Sequence, residues 1–329
     1  MFVPLSIPSP DDVWRSVNVS QWLRDLGLAW FPGEFTIHAY AICILIGIVA
    51  AAILTNHRLT KRGGEPWVTL DIIVWAIPLG IIGARVFHVV THPDDYFAGQ
   101  DILRVLYIWE GGIAIFGALL GGAVGAFIGA RLAGIRFWSF ADALAPGLLL
   151  AQAFGRLGNW FNVELFGTPT DLPWGLEVPS SNSAFPAGLE DGTLFHPTFL
   201  YEIVWNVLGV ITILVLAKKF SLQWGKVFSL YLIWYGAGRI VWETIRIDPS
   251  EIFFGIRTNV WAAIAAVVLG VVIFIVQSRR HPGAEPSPYI AGREWVPAEA
   301  AVDSELTYSD NSDDSGNEAA NTPEVPARN

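Results

Sequence analysis

Arg156, Asn159, Asn162 and Glu164 crowd into nine residues directly behind the apolar run 143–154. A guanidinium at the centre of a bilayer costs about 2.5–3.5 kcal/mol on insertion scales, and less towards the headgroups. An arginine so placed either snorkels to the interface or serves an anion. Two other apolar stretches carry the same anomaly, Arg85 in residues 67–90 and Arg239 in residues 227–247. Tyr235, Arg239, Glu243 and Arg246 step by four, four and three, which puts them on one helical face. A self-neutralising Arg239–Glu243 pair accounts for two of them and leaves Tyr235 and Arg246 unexplained. His196 and Glu202 flank Pro197 at the head of another apolar stretch, and His38 and Tyr40 stand at the head of a further one. Each of these reads equally as a cap with an interfacial pair or as equipment for moving a proton.

The elements that must hold these groups are apolar blocks of bilayer length. The chain has 329 residues, of which 53% are hydrophobic and only 15% charged, and its mean hydropathy is +0.46. This predicts an all-α polytopic membrane protein, a bundle of seven spans at residues 35–54, 67–90, 112–130, 141–157, 197–217, 227–247 and 259–276. Residues 1–34, rich in tryptophan, suit a helix lying in the membrane interface. Residues 158–196 are too polar and too rich in Pro, Gly and Ser to span, and read as a small head lobe inside the transmembrane domain 35–280. Residues 281–329 hold ten acidic residues against two basic ones, which predicts a disordered, dispensable tail.

Charge sets the expected orientation. Arg58, Lys61, Arg62, Arg131, Arg136, Lys218, Lys219, Lys226, Arg279 and Arg280 follow the odd-numbered spans, while the head lobe has no Lys or Arg. The N-terminus and the lobe are therefore expected outside and the tail in the cytoplasm. On that reading Arg85, Arg156 and Arg239 all fall in the outer halves of spans, at one depth, as a shared anion site requires. Asp71 and Asp142 lie at inner helix starts, where the helix dipole favours them. The third span repeats glycine at 117, 121, 125 and 129, a face for close helix contact.

Several classes drop out. A single cysteine, Cys43, mid-span among isoleucines and leucine, excludes an internal disulfide and a cysteine metal cluster. No basic surface suits nucleic acid. The N-terminus shows no basic segment ahead of an apolar core, so no cleaved signal peptide is expected. A transporter or channel for an anion or lipid stands as the alternative, against which the chain shows no two-fold internal repeat.

The stretches together resemble the bacterial prolipoprotein diacylglyceryl transferase family. Gly155-Arg156-x-Gly158-Asn159-x-x-Asn162-x-Glu164-x-x-Gly167 keeps every polar and glycine position of that family's signature. Tyr235-Gly236-Ala237-x-Arg239-x-x-x-Glu243-x-x-Arg246 looks like its second element. His196-Pro197-x-x-Leu200-Tyr201-Glu202, Asp142-x-x-Ala145-Pro146, Gly83-x-Arg85, Trp109-x-Gly111-Gly112 and His38-x-Tyr40 follow in order, over about residues 30–280. The resemblance implies movement of a diacylglyceryl group from phosphatidylglycerol to the lipobox cysteine thiol of a preprolipoprotein. A thioether forms and glycerol phosphate leaves, in a bacterial plasma-membrane enzyme with no cofactor or metal. Its partners are then phosphatidylglycerol, lipobox signal peptides and the bilayer. By the match, Arg156 binds the donor phosphate and Arg239 is a second clamp. Asn159 and Glu164 shape the headgroup site, Gly167 permits close backbone approach, and Tyr235, Arg246 and Arg85 complete the substrate-binding set. The expected catalytic set is Arg239, Tyr40, His196, Glu202 and Glu243. Phe116 stands where the family often has His, so the base for the thiol is sought among His196, Glu202, Tyr40 and Glu164.

Overall fold

The computed structural model describes residues 6–27, 35–97 and 102–296. Seven long helices dominate them: α1 (Ala39–Thr60), α2 (Val68–Thr91), α3 (Ile115–Leu132), α4 (Phe137–Asn162), α5 (Thr198–Lys219), α6 (Lys226–Ile245) and α7 (Thr258–Arg280). Six of them, all but α6, are long and apolar enough to cross a membrane. The protein is thus a mostly helical polytopic membrane protein. α6 falls short in composition because Ser229, Tyr231, Tyr235, Arg239 and Glu243 dilute its apolar residues. Its backbone packs closely on α7, where a Cβ at Gly236 would meet the Ala263 carbonyl and one at Gly270 the Ser229 carbonyl. Side chains such as Leu45, Val49, Val74, Leu119, Leu120 and Val268 point outward, as a lipid-facing surface requires.

The expectation of a purely helical chain needs correction. Three two-stranded antiparallel sheets are present: β1 (Ser16–Asn18) with β2 (Thr36–His38), β3 (Leu176–Glu177) with β4 (Leu194–Phe195), and β5 (Ile252–Phe253) with β6 (Ile256–Arg257). The N-terminal segment is accordingly no single interfacial helix. It is two short helical pieces, Asp12–Arg15 and Val19–Asp25, on either side of β1, with Trp14 and Trp22 exposed. The Trp30 and Phe31 also expected there lie outside the described residues.

α2 and α3 form the closest pair in the bundle. A Cβ at Gly117, Gly121 or Gly125 would collide with the carbonyl oxygens of Gly83, Leu79 and Trp75, so the glycine face serves packing as expected. α4 runs further than the sequence suggested. It continues through Gly158 and Asn159 to Asn162 and ends where Val163 takes φ 51°. Gly158 breaks nothing; it brings α4 against α1, where a Cβ would lie 2.7 Å from Tyr40 Cδ2. The head lobe therefore begins at residue 163. It has its own apolar centre of Val163, Phe166, Leu176, Val178, Phe195 and Phe199, and Ile7 of the N-terminal segment bridges to Leu176 within it.

Two findings at the other, basic end change the sequence reading. Asp142 is 0% exposed and does not stand at the start of its own helix, since α4 begins at Phe137; its carboxylate instead accepts the Gly225 and Phe228 amides at 2.8 and 2.9 Å and so caps α6. The tail does not become structureless at residue 281. Residues 281–293 fold back across the loops as a strap. Arg136 N donates to Pro288 O and Ile290 N to Gly134 O, both at 2.8 Å. Tyr289, 3% exposed, sits among Leu59, Val68, Ile72, Ala130 and Ile135 and accepts the Glu65 amide at 2.8 Å. Arg293 donates to the last carbonyls of α3, Arg131 O at 2.6 Å and Leu132 O at 2.8 Å. Tail composition averaged over residues 281–329 hid this segment, whose one buried tyrosine and one capping arginine suffice to seat it. Residues 297–329, the acidic part of the expected disordered tail, lie outside the described residues.

Candidate functional site

The groups singled out by sequence converge between α4, α5 and α6 at the lobe end of the bundle. A small cavity there is lined by Gln152 and Arg156 of α4, Glu202, Trp205 and Asn206 of α5, and Tyr235, Gly238, Arg239 and Trp242 of α6. Gly238 makes room for the indole of Trp205, which a Cβ would strike. Trp205 and Trp234 lock α5 to α6 by donating to each other's carbonyls at 3.2 and 3.1 Å.

Arg156 is held on two sides. Its Nε faces Glu202 Oε2 at 2.8 Å, and its Nη1 donates to Asn159 Oδ1 at 3.1 Å. Asn159 in turn donates to Glu164 Oε1 at 2.8 Å, which also accepts Asn162 Nδ2 at 3.2 Å. The polar residues of the signature are thus one chain of contacts running out of the helix end. Gly167 closes the next turn, where its amide donates to His196 O at 2.9 Å. A Cβ there would lie 2.8 Å from both His196 Cβ and Ile245 Cγ2. Gly167 does make a close approach, to His196 just ahead of α5 and to the last residue of α6.

On α6, Arg239 Nη2 faces Glu243 Oε2 at 3.0 Å. Glu243 is 1% exposed, and its Oε1 accepts Asn259 Nδ2 at 2.9 Å and faces Arg257 Nε at 3.3 Å. Arg246 forms a two-pronged pair with Asp248 at 2.7 and 2.8 Å. Burial works to raise the Asp248 carboxyl, but the hydrogen bond and charge of Arg246, with Arg257 beyond, outweigh it and hold the group below the ordinary carboxylate range. Arg239 Nη1, Arg246 Nη1, Trp242 Nε1 and Gln152 Oε1 are buried with no hydrogen-bond partner among the described residues. Buried donors in that state cost about 1–3 kcal/mol each, more when charged. A cavity edged by spare cationic and indole N–H groups suits an anion with several oxygens.

Not every expected residue reaches this cavity. Arg85 is taken up elsewhere, donating to the carbonyls of Val105, Gly111, Gly112 and Tyr107 at 2.8, 2.7, 3.1 and 3.3 Å and also to that of Arg104. The Tyr96 ring lies 4.9 Å from its guanidinium carbon. Phe116 packs on Phe87 at 6.2 Å and is not part of the lining. Tyr40 packs against Gly158, beside Asn159 and behind the lining. His196 stands outside it too, and its Nδ1 shares a 3.2 Å hydrogen bond with the Tyr201 hydroxyl, which accepts Trp174 Nε1 at 3.2 Å. Tyr201 and Trp174 line an adjacent apolar groove that shares Trp205 and Trp242 with the polar cavity.

Sequence reasoning passed over Gln152, Asn206, Asp248, Arg257 and Asn259. The first two carried a signal, since Gln152 lies four residues before Arg156 and Asn206 four after Glu202, each on the same helical face. Arg257 and Asn259 carried none, because only the fold brings α7 against Glu243.

Comparison with known proteins accords with this geometry. The family model described as prolipoprotein diacylglyceryl transferase matches residues 28–276. A phosphatidylglycerol–prolipoprotein diacylglyceryl transferase of Leifsonia xyli subsp. xyli is 60% identical over 307 residues, covering 91% of this chain and 89% of that protein. One of Streptomyces coelicolor is 47% identical over 254 residues, 77% of this chain and 80% of the relative. One of Bifidobacterium longum is 44% identical over 282 residues, 81% and 88% of the two chains. The resemblance read from the motifs is borne out, and the chain belongs to the prolipoprotein diacylglyceryl transferase family.

Proposed function

We propose that the chain moves the diacylglyceryl group of phosphatidylglycerol onto the lipobox cysteine of a preprolipoprotein. The thiolate sulfur attacks the glyceryl carbon that bears the phosphate ester. A carbon–sulfur bond forms, the carbon–oxygen bond breaks, and glycerol phosphate departs with the electron pair. Charge grows on the departing phosphate, so fixed cations aimed at it lower the barrier. The observation that carries this reading is the cavity edged by Arg156 and Arg239, with Arg239 Nη1 and Trp242 Nε1 unpaired.

The remaining roles follow from contacts. Glu202 is committed to Arg156 and holds its guanidinium towards the cavity. Glu243 does the same for Arg239. Asn159, Glu164 and Tyr235 shape the headgroup site, Gly167 fastens the lobe beside it, and Tyr40 braces Asn159 through Gly158. Arg246 fixes the end of α6 through Asp248, and Arg85 fixes the loop over α2. The thiol proton passes to Tyr201 as Tyr201 gives its own to His196 Nδ1, a route the 3.2 Å bond supports.

α6 also crosses the membrane, which brings the spans to seven. It runs from the Asp142 cap at the basic end to the lobe at Arg246, and its polar stripe faces protein. The basic loops then lie in the cytoplasm, with the N-terminal segment and lobe outside the plasma membrane. Transfer of labelled diacylglycerol from phosphatidylglycerol to a lipobox peptide in membranes tests the function, and a reporter at residue 180 reading periplasmic tests the orientation. No thioether product, or a cytoplasmic lobe, would overturn the respective part.

A further inference from the structure

We propose that Arg257 is a positioning residue of this site, which keeps Arg239 available to an anion by sharing Glu243 with it. The inference rests on the functional reading above. Glu243 has one oxygen on Arg239, at 3.0 Å, and the other on Arg257, at 3.3 Å. With Arg239 as its only cationic neighbour, the pair would be self-neutral, and a phosphate arriving there would meet no net charge. Two arginines on one buried carboxylate leave one positive charge over.

Geometry decides which arginine presents that charge. Arg257 is tied down on all sides. It donates to Glu243 O at 3.1 Å, to Arg246 O at 3.0 Å and to Asp248 O, and it faces the Asp248 carboxylate at 3.5 Å. Arg239 lines the cavity and keeps Nη1 without a partner among the described residues. The spare charge is therefore exposed at Arg239, and Arg257 acts through Glu243 without touching the substrate. The sheet β5–β6 sets its place, since Thr258 N donates to Glu251 O at 2.9 Å and fixes the turn directly ahead of α7.

The test uses the full chain in phosphatidylglycerol vesicles with a lipobox peptide. Transfer kcat, KM for the lipid and melting temperature are measured for wild type, Arg257→Ala, Arg257→Lys and the double variant Arg257→Ala with Glu243→Gln. Arg257→Ala should lower kcat by about tenfold or more, because Glu243 then falls wholly to Arg239. Arg257→Lys keeps the charge and should stay within about threefold of wild type. Adding Glu243→Gln to Arg257→Ala should restore several-fold of the lost rate, a coupling between the two positions. If Arg257 merely clamps the turn, lysine, which lacks the fork for three carbonyls, will be as damaged as alanine, and Glu243→Gln will restore nothing; either result overturns the assignment. Should Arg257→Ala fail to accumulate, Arg257→Lys decides alone: near-normal kcat in folded protein supports the proposal and a tenfold loss refutes it. A wild-type chain without transfer would remove the functional reading itself, which is a separate outcome.

Discussion

Arg85 and Arg239 occupy the same kind of sequence, a guanidinium in the C-terminal half of a largely apolar helix, yet the fold puts them to opposite uses. Arg85 donates to five backbone carbonyls between residues 104 and 112. Arg239 has one carboxylate partner and a buried Nη1 left over. A buried charge in a membrane protein must find partners, and what separates these two arginines is a spare donor at the edge of the cavity. Their similar place in an apolar stretch does not distinguish them.

That contrast predicts different losses. The largest effect falls on the cavity: Arg156→Lys or Arg239→Lys keeps a charge but loses the planar fork, and should cut transfer about a hundredfold or more while membrane levels stay near normal. Arg85→Lys should show the reverse pattern. Its carbonyls lose most of their donors, so thermal stability in detergent should fall by about 2–4 kcal/mol, while transfer per folded molecule changes little. Equal activity losses at Arg85 and Arg239 would break the comparison.

The strap provides a third region, held by packing. Tyr289→Ala removes an aromatic ring from a closed cluster and should cost about 3–5 kcal/mol, whereas truncation after residue 296 should leave melting temperature and transfer unchanged. His196→Ala should reduce transfer about a hundredfold at pH 7 and recover in part at pH 9, where a free thiol of pKa about 8.5 ionises unaided. A flat pH–rate ratio between wild type and variant would remove His196 from proton transfer.

The smallest effect concerns Glu285, which accepts the Ser139 hydroxyl at 2.6 Å. Burial pushes its carboxyl above the ordinary range despite that bond and the charges of Arg62 and Arg136. A raised folded-state pKa means that the folded chain binds the proton more tightly than the unfolded one. The stability it contributes is therefore present at acid pH and lost as pH rises through the folded value. Glu285→Gln should not destabilise the protein at pH 7, and should reduce the gain wild type shows between pH 7 and pH 5. A clear loss at pH 7 would contradict this.

Much of the fold was legible because bilayer length and apolar composition constrain helices so strongly. The six apolar spans, the glycine face of α3 and the Arg239–Glu243 pair follow from spacing alone. What stayed hidden depends on contacts between distant segments. The end of α4 comes where Val163 turns to positive φ and is buried in the lobe, the service of Asp142 depends on the position of α6, and the strap on one tyrosine fitting a pocket made by four helices. Nothing in the sequence around Arg257 pointed to Glu243, and only the fold brings the two together.

The central claim is that the donor phosphate sits where spare guanidinium N–H groups are. A structure of the chain bound to phosphatidylglycerol tests it most directly. The account predicts phosphate oxygens about 3 Å from Arg239 Nη1 and within reach of Arg156, with Arg85 still on its carbonyls. A phosphate bound at Arg85, or an Arg239 whose Nη1 turns to protein with the lipid elsewhere, would contradict it.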